Sequence, residues 1–329
     1  MSVAATGIGS FPGTDATDYA ETVRLVVDEL TDLPHLPEMP GRGPSADLSG
    51  RGVAVLAELG ADLQPAGWRL TGAAPGRDQR RAVSLLAQDL DALEEQTQGY
   101  EGRLKVQLPG PWTLAATVER PRGDKVLADH GARRELAQAL AEGARDHVAD
   151  VRRRVPGASV MVQLDEPALP AVLAGAVPTA SGFHRHRSVD DPKASPALEW
   201  VMSAVTEAGA TPVVHCCAAD VPFGLLTGAG AQGISVDLST LGAAAYDDLA
   251  EVLESGRTLM LGVVPATDPD GRPDDTAITE RVLRLLDMLG LDPTTGDLVI
   301  TPSCGLAGAS PAWARRAVAL SRIVAANLS

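Results

Sequence analysis

An excess of positive charge is missing from this chain. Its 329 residues include 28 Lys and Arg against 43 Asp and Glu, a formal net charge of −15 at pH 7. Phosphate contact requires clustered cations, so no nucleic-acid partner is expected, and an anionic membrane surface is disfavoured for the same reason. No apolar run approaches the ~20 residues of a membrane span. The opening "MSVAATGIGS" has no basic segment leading into an apolar core, so no signal peptide is read there. Aromatic residues make up only 3%, which leaves the core to aliphatic side chains. There are three cysteines, too few and too odd a number for a disulfide framework. A reducing cytoplasmic setting is therefore expected, where neighbouring Cys and His point to metal or catalysis.

Apolar residues make up 45% of the chain, and mean hydropathy is +0.03. This length and composition suit a globular protein with a sizeable core. Short apolar runs alternate with longer helical patterns. The runs at 3–9, 34–38, 104–108, 159–165, 212–217, 233–237, 258–264 and 297–302 read as strands. The second is the weakest, with prolines in and beside it. Between the runs, stretches such as "ARRELAQALAEGARDHVADVRRRV" carry apolar residues at three-and-four spacing. Eight strands each followed by a helix predict an α/β protein, a (β/α)8 TIM barrel spanning 1–329 as a single domain. A doubly wound sheet is the rival, but "GIGSFPG" lacks the glycine register of a phosphate turn. Residues 60–76 read as an insertion after the second strand, formed as a hairpin.

A barrel's chemistry gathers at the C-terminal ends of its strands. Ser10, Glu38, Trp112 just after "GP", Asp165-Glu166, His215-Cys216-Cys217, Asp237 and Cys304 all fall at predicted strand exits. Side chains alternate along a strand, so His215 and Cys217 share a face and Cys216 is assigned to packing. An H-x-C in a buried strand is by itself more often packing than ligation, since free cysteine is a common core residue. Cys304 and Asp237 at neighbouring strand ends reverse that balance. One imidazole, two thiolates and a carboxylate form a tetrahedral set suited to Zn2+. Asp165-Glu166 in "LDEPAL" also has a plain alternative as a capped helix start.

"IGSFP", "GPWT", "QLDEPAL", "HCC", "GISVD" and "SCGL", in this order, resemble the catalytic C-terminal barrel of the cobalamin-independent methionine synthases across essentially the whole chain. The resemblance implies a zinc-dependent methyltransferase that makes methionine from homocysteine. It implies metal ligands His215, Cys217, Asp237 and Cys304, with Asp237 standing where the family has Glu. It places the amino acid's carboxylate on Ser10 and its amine on Asp165 and Glu38. Zinc would deprotonate the thiol and hold it for attack on a methyl group. The resemblance further implies that this chain lacks the family's N-terminal barrel. "LGVVPATDP" after the seventh strand also lacks the histidine that helps folate nitrogen leave. A methylcorrinoid donor, as methylcobalamin or on a corrinoid protein, is therefore expected in place of methylfolate. The alternatives are another small thiol as acceptor and a non-catalytic barrel that binds zinc or an amino acid. A decarboxylase of the same superfamily fits the Cys/His set poorly. The basic segment "SGFHRHRSVDD" at 181–191 reads either as a solvated loop or as a lid presenting His184, Arg185 or His186.

Overall fold

The computed structural model describes residues 3–271 and 273–329. Among the described residues nine strands form: β1 (Ala4–Ala5), β2 (Gly60–Gln64), β3 (Gly67–Gly72), β4 (Arg103–Pro109), β5 (Ser159–Asp165), β6 (Thr211–Cys216), β7 (Gly233–Asp237), β8 (Thr258–Val264) and β9 (Asp297–Pro302). Seven of them make one parallel, curled sheet in the order β1-β9-β8-β7-β6-β5-β4. Strands covered on both faces read as nearly unbroken apolar runs, which is why β5 to β9 lie where the sequence places them. The helices are α1 (Ala16–Glu29), α2 (Leu48–Val55), α3 (Arg77–Gln96), α4 (Pro111–Thr117), α5 (His130–Arg154), α6 (Leu169–Leu173), α7 (Asp191–Glu207), α8 (Phe223–Gly228), α9 (Tyr246–Glu254), α10 (Asp275–Leu289) and α11 (Pro311–Asn327).

The second expected strand, 34–38, is not a regular strand. Pro34 and Pro37 have no N–H to give a ladder. The segment is held by single parallel bridges, His35 to Lys105 on one side and Glu38 to Ser10 on the other. Residues 60–72 form an antiparallel hairpin, β2 with β3.

Local sequence explains the helix ends. Asp15 and Asp129 cap α1 and α5 by accepting backbone N–H groups of the first turn. Gly290 ends α10 at φ 71°, a left-handed position that glycine adopts without strain.

The sheet's inner face is layered. At its N-terminal end Ala4, Leu33, Met161, Val213, Met260 and Val299 make a separate apolar cluster. Above them lie buried polar side chains, among them Thr6, His35, Lys105, Gln163, Ser235 and Thr301. The C-terminal ends of the strands, above this polar layer, carry the candidate site.

Away from the sheet's inner face, His147 of α5 is 6% exposed and its Nε2 has no partner among the described residues. Burial, helped by the nearby Arg51 charge, pushes its pKa down to about 4 from 6.5. Its contribution to stability is thus complete above pH 6.5 and is lost as pH falls toward 4, because only the unfolded chain takes up the proton in that window. From pH 7 to pH 5 this amounts to roughly 2 kcal/mol. Denaturant unfolding at the two pH values should show that slope, and His147→Leu should flatten it by a similar amount.

Candidate metal and amino-acid site

His215, Cys217 and Cys304 come together at the C-terminal end of the sheet. Their ligand atoms all lie within 4.8 Å of one another. Cys304 Sγ is 2.9 Å from Cys217 Sγ and 3.9 Å from His215 Nε2. His215 is brought up by β6, and its Nδ1 lies 2.9 Å from Ser235 Oγ on β7. That contact fixes the ring so that Nε2 is the atom facing the sulfurs. Two thiols this close compete for a proton. The hydrogen bond from Cys217, reinforced by His215, lowers the pKa of Cys304 and raises that of Cys217. Cys216 points the other way and is fully buried, and burial pushes its thiol up to about 12.

The donor set fits zinc: one imidazole nitrogen and two sulfurs, reaching a common point from two separate segments, the end of β6 and the loop after β9, with a position left for a fourth ligand. Asp237 is not in the group. It is next in line after Ser235 on the same face of β7, but its Oδ1 accepts from the backbone N–H and Oγ of Ser239. The one-carbon arm is turned back into its own loop.

Beside these three side chains lies a cavity of about 150 Å³. Ser10, Glu38 and Asp165 line it together with His215, Cys217 and Cys304. Gly305 lets the chain after Cys304 pass tightly over Ser10, since a Cβ there would come within 2.1 Å of Ser10 Oγ. Leu306 N–H donates to Ser10 O at 2.7 Å, fastening that loop to the end of the first strand segment.

The two acids sit in different settings. Glu38 Oε1 is 3.1 Å from Arg51 Nε, and Arg51 and Arg42 both bind Asp89, a buried chain of alternating charge. Among the described residues no Lys or Arg pairs with Asp165. Its Oδ1 accepts from Gln163 Nε2 at 2.7 Å. Burial pushes its pKa up, opposed by His215.

Glu166, its neighbour, faces elsewhere. It is fully buried and accepts from the backbone N–H groups of Trp112 and Thr113 and from the Thr113 hydroxyl, at 2.8–2.9 Å. It caps α4, the helix more than fifty residues earlier, and not the helix that follows it. Trp112 is 2% exposed, donates Nε1–H to Ala194 O, and does not line the cavity beside His215, Cys217 and Cys304, where the sequence reading places it at the substrate. The basic segment is pinned down as well. Thr179 N–H donates to His184 O, Arg185 to Ala176 O, and His186 lies buried 3.3 Å from Asp124. None of its histidines lines the cavity.

Ser235, Lys105 and Gln163 were missed by sequence reasoning. For Lys105 and Gln163 the signal was there in "RLKVQLP" and "SVMVQLD", where Lys105 and Gln107, and Gln163 and Asp165, stand two apart in otherwise apolar strands.

A family model described as "Cobalamin-independent synthase, Catalytic domain" matches residues 99–327. No curated protein sequence matches the chain. Among solved structures, a B12-independent methionine synthase from Shewanella sp. W3-18-1, in complex with selenomethionine, aligns at 15% identity with a TM-score of 0.64. That alignment covers 99% of this chain and 97% of the other. A beta-galactosidase from the psychrophilic Marinomonas ef1 aligns at 10% identity with a TM-score of 0.50, covering 98% and 59%. At these identities the structural likeness speaks for the fold alone.

Proposed function

From the premise that this chain belongs to the cobalamin-independent synthase catalytic-domain family, we propose that it is a zinc-dependent methyltransferase that converts homocysteine to methionine. The observation that carries this reading is one cavity shared by a His/Cys/Cys cluster and by two carboxylates and a serine hydroxyl. That is a sulfur handle and an amino-acid handle side by side. We read the two bridges at His35 and Glu38 as closing the seven-stranded sheet into an eight-membered, single-domain (β/α)8 barrel.

His215, Cys217 and Cys304 would hold the zinc, with Asp237 outside the ligand set. Zinc, when bound, supplies a Lewis acid that keeps an incoming thiol deprotonated at neutral pH. The protein's own residues do the rest. Ser235 holds the His215 ring. Asp165 and Glu38 receive the substrate ammonium, and Ser10 receives its carboxylate. The bound amino acid's sulfur is thereby directed at the metal-ligand end of the cavity, in line for a methyl group arriving from the mouth.

The donor divides two considerations. The 261–269 segment offers no histidine to protonate a leaving folate nitrogen, which favours a methylcorrinoid, free or on a corrinoid protein. The family description, cobalamin-independent, weighs the other way. The test supplies zinc-loaded protein with L-homocysteine and either methyltetrahydrofolate or methylcobalamin, and measures methionine. Turnover with one of them is expected and identifies the donor. Zinc-loaded protein that makes no methionine from either would overturn the reading, and methylation of a simpler thiol instead would reassign the acceptor.

A further inference from the structure

Directly beneath the cavity lies a lysine with no exposed surface. Lys105 on β4 is 0% exposed, and its Nζ meets three acceptors: Ile8 O at 2.9 Å, Gln163 Oε1 at 2.8 Å and Gln107 Oε1 at 3.2 Å. Three acceptors use all three protons of an ammonium, one more than a neutral amine has. Burial pulls its pKa down to about 7, opposed by the charges of Asp165 and Glu38. No carboxylate lies within ion-pair distance of it among the described residues.

Burying a cation this way is costly, and filling a barrel interior does not require it. One layer down, Met161, Met260 and Val213 fill the same interior with apolar side chains. The polar arrangement begins only where the cavity begins.

The ammonium dictates how the amides above it face. It can only donate, so each glutamine turns its Oε1 toward it and its Nε2 away. Gln163 Nε2 then donates to Asp165 Oδ1 at 2.7 Å and to Ile8 O at 2.9 Å. Gln107 Nε2 donates to Leu36 O at 2.7 Å, two residues before Glu38. Ile8, whose carbonyl takes bonds from both Lys105 and Gln163, lies two residues before Ser10. The three groups assigned to the amino acid's polar end thus rest on one buried point.

We propose that Lys105 is a positioning residue for amino-acid recognition, orienting the Gln163 amide so that Asp165 and the Ile8–Ser10 segment keep a fixed register for the substrate's ammonium and carboxylate. This rests on the methionine-site reading above and adds the residue that gives the site its selectivity for an amine. Without the ammonium, Gln163 Oε1 loses the donor that locks the amide, which is then held only through its Nε2 acceptors, and the hydrogen bond to Asp165 is weakened.

The test measures binding of L-methionine and of 4-(methylthio)butanoate, which lacks the amine, to zinc-loaded protein by calorimetry. Wild type should prefer methionine. Lys105→Met should reduce that preference by about tenfold or more, while zinc content and affinity for the amine-free ligand stay within about threefold. Gln163→Met, which leaves Lys105 its bonds to Ile8 and Gln107, should reduce the preference in the same direction and decides the matter if Lys105→Met does not fold. An unchanged preference in the folded variants, or equal loss of both ligands, would overturn the proposal. A wild type with no preference for methionine would instead strike the amino-acid reading, and this inference with it.

Discussion

Cys304→Ala is expected to strip the protein of zinc and of methyl transfer while leaving it folded. Cys304 is one of the three proposed ligands, at 2.9 Å from Cys217 Sγ and 3.9 Å from His215 Nε2, so its removal leaves two donors and an open side. Loss of an outer partner of a metal ligand typically costs about 10–100-fold in affinity or activity. Loss of the ligand itself should exceed that, with zinc stoichiometry falling from near one to near zero. The fold should hold, because the sulfur is partly exposed and the loop around it is fastened elsewhere, through Leu306 N–H to Ser10 O. Asp237→Ala supplies the contrast. Its carboxylate is spent on Ser239, so zinc content should remain near that of the wild type. Metal analysis beside circular dichroism reads both variants. Zinc retained in Cys304→Ala, or lost in Asp237→Ala, would mean that the ligand set is drawn wrongly.

Glu166→Ala should be the most damaging single change to stability near the site, although it lies beside Asp165 and looks in the sequence like its partner. The carboxylate serves two backbone N–H groups and a hydroxyl with no solvent contact. Truncation leaves those donors buried and opens space against Gly110, where the Glu166 carboxyl packs so closely that a Cβ on the glycine would meet it at 2.3 Å. A loss of roughly 3–5 kcal/mol follows from removing a charged, fully hydrogen-bonded buried group. For a chain of this size that is a fall in Tm of roughly 4–7 °C. Glu166→Gln keeps the volume and one good acceptor but sets an amide donor against a backbone N–H, so it should fall between wild type and Glu166→Ala. Thermal unfolding of the three proteins measures the order. A near-neutral Glu166→Ala would show that the start of α4 does not depend on this cap.

The alternation of strand and helix, and the gathering of reactive residues at strand ends, were legible from residue order alone. Buried parallel strands must be apolar on both faces, so β5 through β9 announce themselves as runs such as "TLMLGVV". The two-residue period of a strand puts His215 and Cys217 on one face and turns Cys216 away, whatever the rest of the fold does. Decisions that depend on distant partners were made only in three dimensions. Glu166 caps a helix more than fifty residues back. Asp237 sits at the right height on the right face, yet its short arm reaches Ser239 before it reaches the sulfurs. The segment at 34–38 completes its pairing through only two bridges because its prolines have no N–H to offer. Lys105, which any strand pattern would count as an intruder, finds its three acceptors on three different segments. Periodicity is a property of the local backbone and can be read along the chain; hydrogen-bond partnership between remote segments depends on arm length and approach, which exist only once the chain has folded.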